Sequence, residues 1–338
     1  MNSNKTDGFI LFSGSANRPL AEKMQQYLNR PDGRLVSRPL GDVALERFQD
    51  GEIWVKYNEN LRGKVIGIVQ PTVAPAENLL ELLIMIDTAQ RASAAKVIAI
   101  IPYFGYARQD RKNTNREALT AKLIANLITK AGADRVITMD LHSAQIQGFF
   151  DIPLDHIYAS KNLVPYWTNK KIPNLAIQST DLGDAPMARA WRRRLPQDTG
   201  LILFDKERDQ HDNVRIVGML TEPESFKFDG ANILAVDDII DTSNTFLAEV
   251  NKLDELRVND IYGSFNHAVF AGSNYEAVYE RITNSSVKEI TVTDSLVLKG
   301  KPPDKIKVIS VADLLAEATE RAFLNLSIST LYQEKISR

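Results

Sequence analysis

Cysteine is absent from the 338-residue chain, so neither a disulfide framework nor a thiolate metal cage is available to it, and a reducing compartment suits it. A surplus of positive charge is also missing. Lys and Arg total 41 against 43 Asp and Glu, a net charge of −2, which argues against a nucleic acid held on a broad basic surface. Any anion must be bound locally. No apolar run approaches the roughly 18 residues of a membrane span, and residues 1–7 are polar, unlike a signal peptide. The expected location is cytoplasmic, with neither membrane nor nucleic acid as a partner.

What is present is an ordinary globular composition, 25% charged and 44% hydrophobic, on a chain long enough for two domains of about 150 residues. Short runs rich in Ile and Val recur at 9–12, 65–69, 97–101 and 136–139, then at 175–177, 201–204, 233–236 and 289–292. Runs this continuous read as strands buried on both faces, hence parallel sheets covered by helices. Helical periods lie between them: Leu79, Leu82, Leu83, Ile86 and Ala89 fit one helix, Leu119, Leu123, Ile124, Leu127 and Ile128 another, and 311–326 reads as a third. Strand-helix alternation repeated twice predicts an α/β protein of two doubly wound parallel-sheet domains, with a boundary near residue 155.

The polar motifs gather where strands end. After the run at 233–236 come Asp237, Asp238, Asp241, Thr242, Ser243, Asn244 and Thr245, then a helical period at 246–256. Free amides and the dipole at a helix start favour a phosphate, while Asp237 and Asp238 can accept sugar hydroxyls. The competing reading is an acidic strand end followed by a Thr cap; three acids and three hydroxyls at one turn, at the carboxyl end of a strand, favour the cradle. After the run at 97–101, Arg108, Arg111 and Lys112 can neutralise a polyphosphate, Gln109 can hydrogen-bond a base, and Tyr103, Phe104 and Tyr106 can pack on it. A solvated basic loop is the alternative.

His142, after the run at 136–139, can hydrogen-bond a phosphate or support magnesium, although a lone histidine is more often structural. At 179–186, either Asp184 merely caps the following helix, the favoured reading, or Asp181 also reaches the sugar or a metal. Lys206 and Arg208 follow the run at 201–204 and enter a polar, turn-prone stretch, where a mobile loop would let them meet charge developing in phosphoryl transfer.

Together these segments resemble the ribose-phosphate pyrophosphokinases across nearly the whole chain. The resemblance rests on LFSGSAN at 11–17, RFQDGE at 47–52, ELLIMID at 81–87, the segments 102–112 and 134–153, and the loop 237–245. It implies two phosphoribosyltransferase-like domains: an ATP side at 1–155, joined by the helix 311–326, and a ribose 5-phosphate side at 156–310. It further implies that Arg108 and Gln109 bind ATP and that Asp50 and Glu52 reach the adenine site of a neighbouring subunit, so that a homo-oligomer is expected, a hexamer among the forms allowed. His142 and Asp181 would support Mg2+; Lys206 and Arg208 would be catalytic with His142. Arg208, Asp237, Asp238 and Asp241, with Thr242, Ser243, Asn244 and Thr245, would hold ribose 5-phosphate. The implied activity is transfer of a diphosphoryl group from ATP to the sugar.

The chain departs from that pattern in its second half. Ser243 and Asn244 stand where glycine is usual, and Asn244 is expected to carry the left-handed turn, which asparagine tolerates better than serine. Thr180, Asp181, Leu182, Gly183 and Asp184 replace a proline-aspartate-alanine-glycine-glycine pattern, and Glu207 replaces a common arginine. These changes define the alternative, a catalytically weak paralogue that assembles with and regulates an active synthetase. A phosphoribosyltransferase is less suited, because it needs neither a second domain nor the Arg108 segment.

Overall fold

The computed structural model describes residues 8–36, 38–180, 185–196, 199–208, 214–270 and 272–332, with backbone alone at 207, 208, 214, 215 and 273. The chain divides into two compact units. The first comprises the described parts of Met1–Tyr158, Ser295–Val297 and Val311–Arg338, and the second those of Ala159–Asp294 and Leu298–Ser310.

In chain order the first unit holds β1 (Phe9–Ser13), α1 (Arg18–Leu28), the antiparallel pair β2 (Val43–Arg47) and β3 (Ile53–Tyr57), β4 (Val65–Val69), α2 (Glu77–Arg91), β5 (Lys96–Ile101), α3 (Thr120–Ala131), β6 (Arg135–Met139) and β7 (Leu154–Ile157). β1, β4, β5, β6 and β7 form a five-stranded sheet in that order, every pair parallel. Local chemistry sets the helix ends. Asn17 caps α1 by accepting from Leu20 N at 3.3 Å, and α3 stops where Gly132 turns left-handed at φ 110°. α2 buries Leu79, Leu82, Met85, Ile86 and Ala89 against the sheet, each large aliphatic contributing roughly 1.5–3 kcal/mol by leaving water.

The second unit runs α4 (Ser160–Asn169), β8 (Leu175–Ser179), α5 (Ala185–Arg192), β9 (Gly200–Arg208), β10 (Val214–Glu222), β11 (Asn232–Ile240), α6 (Asn244–Glu255), β12 (Ile261–Ala268), α7 (Tyr275–Asn284), β13 (Glu289–Thr293) and β14 (Ile306–Ile309). Its seven strands are ordered β10-β9-β8-β11-β12-β13-β14, and β9 with β10 is the one antiparallel pair in that sheet. From β8 the chain goes to β9 on one side and later returns to β11 on the other. The strand order therefore reverses between β8 and β11. A last helix, α8 (Ala312–Phe323), belongs to the first unit, where Glu320 pairs with Arg30 at 2.7 Å and accepts from Arg34 N at 2.9 Å.

The predicted α/β class of mainly parallel sheets is what folds, and each Ile/Val-rich run is a strand. The stripe assigned to α3 is corrected: Ile124 and Ile128 are buried with Ala121 and Ala125, whereas Leu123 is 55% exposed and Leu119 and Leu127 also face solvent. β12 escaped the sequence reading although it is buried throughout, because Ser264, Asn266 and His267 interrupt its apolar run. Ser264 is satisfied inside the sheet, where Thr291 Oγ1 donates to its Oγ at 2.8 Å.

Candidate active site

In the second unit the register pairs Val236 of β11 with Ser179 of β8, so Asp237 and Thr180 follow side by side at the point where the strand order reverses. Open α/β sheets bind ligands at such a point. Thr180 Oγ1 donates to Asp237 Oδ2, and Asp237 Oδ1 accepts from Asp238 N at 2.7 Å. Asp237 is half-buried and Asp238 is buried. Sequence reasoning missed Thr180; its visible signal was its place, the first residue after a buried strand.

Beyond β11 the chain turns through Asp241 and Thr242 into α6. Ser243, not Asn244, takes the left-handed conformation, at φ 63°, and Asn244 is already the first residue of the helix. That corrects the expectation for this turn. The turn is fixed from outside by α7, where Arg281 Nη2 donates to the Thr242 carbonyl at 2.7 Å, while Thr242 Oγ1 accepts from Asn244 N at 3.4 Å. The N-cap residue of α6, Ser243, makes no capping hydrogen bond with its side chain, and the positive end of the helix dipole faces this turn. Ser243 is buried, and its Oγ has no hydrogen-bond partner among the described residues. Thr242 and Asn244 are exposed; Asp241 and Thr245 are half-buried.

Lys206 and the backbone of Arg208 lie on β9, paired with Ile216 and Val214 of β10, so residues 206–208 are strand and not the expected mobile loop. The two-residue alternation of Ile202 and Phe204 simply continues to Lys206. Its ammonium is 2.5 Å from Glu249 Oε1 of α6, and the second carboxylate oxygen accepts from Gln178 Nε2 of β8 at 2.6 Å. Glu249 and Gln178 were also missed. The signal for Glu249 was its phase: Phe246, Glu249, Val250 and Leu253 form the buried stripe of α6. The side chains of Glu207 and Arg208, and Asp181, Leu182, Gly183 and Asp184 entirely, lie outside the described residues.

In the first unit, Arg108 and Gln109 follow β5, and His142 follows its neighbour β6; all three are exposed. Gln109 is anchored by its N donating to Tyr106 O at 2.9 Å and by Thr120 Oγ1 donating to its Oε1 at 2.5 Å. The segment starts with a tight approach: a Cβ on Gly105 would fall 2.0 Å from the Thr72 carbonyl oxygen. Tyr103 and Phe104, expected to pack on a base, are core residues instead, with Phe104 edge-on to Phe150 at 5.6 Å. The turn before His142 is held where Leu141 N donates to His156 Nε2 at 2.9 Å. Asp50 and Glu52 stand exposed at the tip of the β2–β3 hairpin, where Asp50 Oδ1 accepts from Glu52 N at 3.1 Å and Gly51 turns at φ 94°.

Among the described residues no three His, Asp or Glu side chains converge as a metal cage. A hard cation such as Mg2+ takes oxygen ligands, so a single imidazole such as His142 would only supplement them. No described helix is long and apolar enough to cross a membrane.

The class defined here is an α/β protein of two open, mainly parallel sheets with charged loops at their strand ends, where folds of this kind bind ligands. Residues 9–132 match the N-terminal domain of ribose phosphate pyrophosphokinase, and 227–333 match the phosphoribosyl synthetase-associated domain. The ribose-phosphate pyrophosphokinase of Thermotoga maritima is 42% identical over 96% of this chain and 98% of its own length; that of Chlorobaculum tepidum is 41% identical over 96% and 95%. The crystal structure of phosphoribosylpyrophosphate synthetase from Mycobacterium smegmatis superposes with a TM-score of 0.81 at 33% identity, covering 94% of this chain and all of that one. The chain belongs to the ribose-phosphate pyrophosphokinase family and is an enzyme of that family. These relatives give the regulatory alternative no support.

Proposed function

We propose that the protein transfers the diphosphoryl group of Mg-ATP to O1 of ribose 5-phosphate, giving 5-phosphoribosyl 1-diphosphate and AMP. The observation that supports this most is the strand-order reversal of the second unit: a half-buried carboxylate, Asp237, stands there on the same strand that leads into the start of α6, whose N-cap side chain makes no hydrogen bond to the helix. The 5-phosphate accepts from the amides and hydroxyls of Asp241, Thr242, Ser243, Asn244 and Thr245, and the sugar hydroxyls donate to Asp237 and Asp238. Ser243 Oγ, buried without a partner among the described residues, supplies one such donor.

The first unit carries the nucleotide groups. Arg108 and Gln109 bind ATP, and Asp50 and Glu52 at the hairpin tip serve the adenine site of a neighbouring copy in a homo-oligomer. O1 attacks the β-phosphorus, the bond from that phosphorus to the oxygen shared with the α-phosphate breaks, AMP leaves, and the O1 proton is released. Mg2+, when bound with the nucleotide and supported by His142 and Asp181, supplies neutralisation of phosphate charge. Lys206, Arg208, Arg108 and His142 position and neutralise the transferring group, which is most of what phosphoryl transfer asks of a protein. A cytoplasmic location is part of this reading.

Phosphorus NMR of purified protein with Mg-ATP and ribose 5-phosphate tests the reading. AMP and a 1-diphosphate sugar should appear together and only when both substrates are present; ADP with a singly phosphorylated O1 would overturn it.

A further inference from the structure

Lys206 is assigned to the transfer step, yet its charge is already engaged. It shares one face of β9 with Ile202 and Phe204, which pack in the core with Phe246 and Val250 of α6. The side chain therefore lies against the helix and is only 9% exposed, and Glu249, which faces it at 2.5 Å, is completely buried. A carboxylate on the apolar stripe of a helix is costly unless a cation or donors satisfy it. Here Lys206 Nζ and Gln178 Nε2 each take one oxygen.

We infer that Glu249 is a positioning residue for Lys206: it holds the ammonium beneath α6, and Lys206 exchanges Glu249 for phosphoryl oxygens of the transferring group during turnover. The inference rests on the diphosphoryl transfer proposed above. The geometry gives it direction. An ammonium cancelled by a carboxylate at 2.5 Å offers little net charge to a phosphoryl group, so Glu249 competes with the substrate for it. When Lys206 departs, the amide of Gln178 remains as a donor to the buried carboxylate, which makes the exchange possible without abandoning that charge. The contact thus sets how readily Lys206 is released.

The test is Glu249→Gln, which keeps the shape and removes the charge, read in two ways. Without substrates, pulse acylation of lysines followed by peptide mass spectrometry should find Lys206 slow to react in the wild type and severalfold faster in Glu249→Gln, with exposed Lys252 and Lys288 unchanged as internal standards. In steady state, kcat should rise severalfold in Glu249→Gln, and that gain should vanish in a Lys206→Ala background. Glu249→Asp, which keeps the charge on a shorter arm, should fall between wild type and Glu249→Gln and serves if the glutamine variant does not fold. Equal acylation of Lys206 in wild type and Glu249→Gln would overturn the resting contact. Faster acylation with kcat unchanged or lowered would overturn the competition. A wild type that labels slowly but transfers no diphosphoryl group would overturn the reaction, and with it the exchange, while leaving the resting contact in place.

Discussion

Replacing Ser243 by glycine separates the two demands on the turn before α6. A side chain at φ 63° costs about 1–2 kcal/mol by crowding its own backbone, and the buried Oγ, unpartnered among the described residues, costs about 1–3 kcal/mol more. Glycine escapes both but gives the unfolded chain extra freedom, worth about 0.4–1 kcal/mol against it. The net is a gain of about 1 kcal/mol or more, a rise in melting temperature of roughly 2–4 °C for each kcal/mol in a unit of this size. Binding should move the other way. If Ser243 donates to the 5-phosphate, losing a hydrogen bond to a charged group costs about 1.5–3 kcal/mol, on the order of tenfold or more in the affinity for ribose 5-phosphate. Differential scanning calorimetry and isothermal titration read the two effects, with Ser243→Ala as the control that removes the hydroxyl and keeps the strained turn. A glycine variant that melts lower than wild type, or no higher than the alanine variant, would refute the strain argument.

Four further outcomes follow. Lys206→Ala strands a fully buried Glu249 and should destabilise the fold by about 3 kcal/mol, toward the low end for a broken buried pair because Gln178 still donates; adding Glu249→Ala should recover most of this in urea titrations, and simple additivity would contradict the pairing. In kinetics, Lys206→Ala should lower kcat far more than it weakens ATP binding, whereas an unchanged kcat would remove Lys206 from the mechanism. At Glu222 the hydrogen bond from Arg189, aided by Arg192, holds the carboxyl below its ordinary range, so the pair stabilises the protein above that range and the contribution is lost as pH falls through the lowered value; Glu222→Gln should flatten the acid limb of the melting curve by no more than about 1 kcal/mol, as befits exposed partners. Gly105→Ala, which places a carbon against the Thr72 carbonyl, should cost more than about 2 kcal/mol and raise KM for ATP; near-wild-type stability would contradict that approach.

Legibility in the sequence followed polarity. Strands with an unbroken apolar run, such as 97–101 in β5 and 233–236 in β11, announce themselves, because burial on both faces leaves no alternation to misread. β12 does not, since its buried Ser264, Asn266 and His267 break the apolar run, and the partner of Ser264, Thr291 on β13, is one that no local pattern reveals. The loop at 241–245 was visible as a cluster of acids and hydroxyls at a strand end, but neither the left-handed turn at Ser243 nor the hold of Arg281, nearly forty positions away, on the Thr242 carbonyl was. Lys206 was visible as a charge and invisible as an ion pair: its partner sits on another element, and only the phase of Glu249 among Phe246, Val250 and Leu253 hinted at burial. The aromatics at Tyr103 and Phe104 show the opposite error, an apolar pair near a basic loop taken for a base platform although the core claims it.

The most direct test of the proposed reaction uses ATP radiolabelled at the β-phosphorus, incubated with ribose 5-phosphate and the wild-type protein. The label should pass quantitatively to the sugar product and leave AMP unlabelled, and the product should carry two phosphoryl groups on O1. Label retained in the nucleotide, with transfer of the γ-phosphoryl group alone, would contradict attack at the β-phosphorus and the roles assigned to both units.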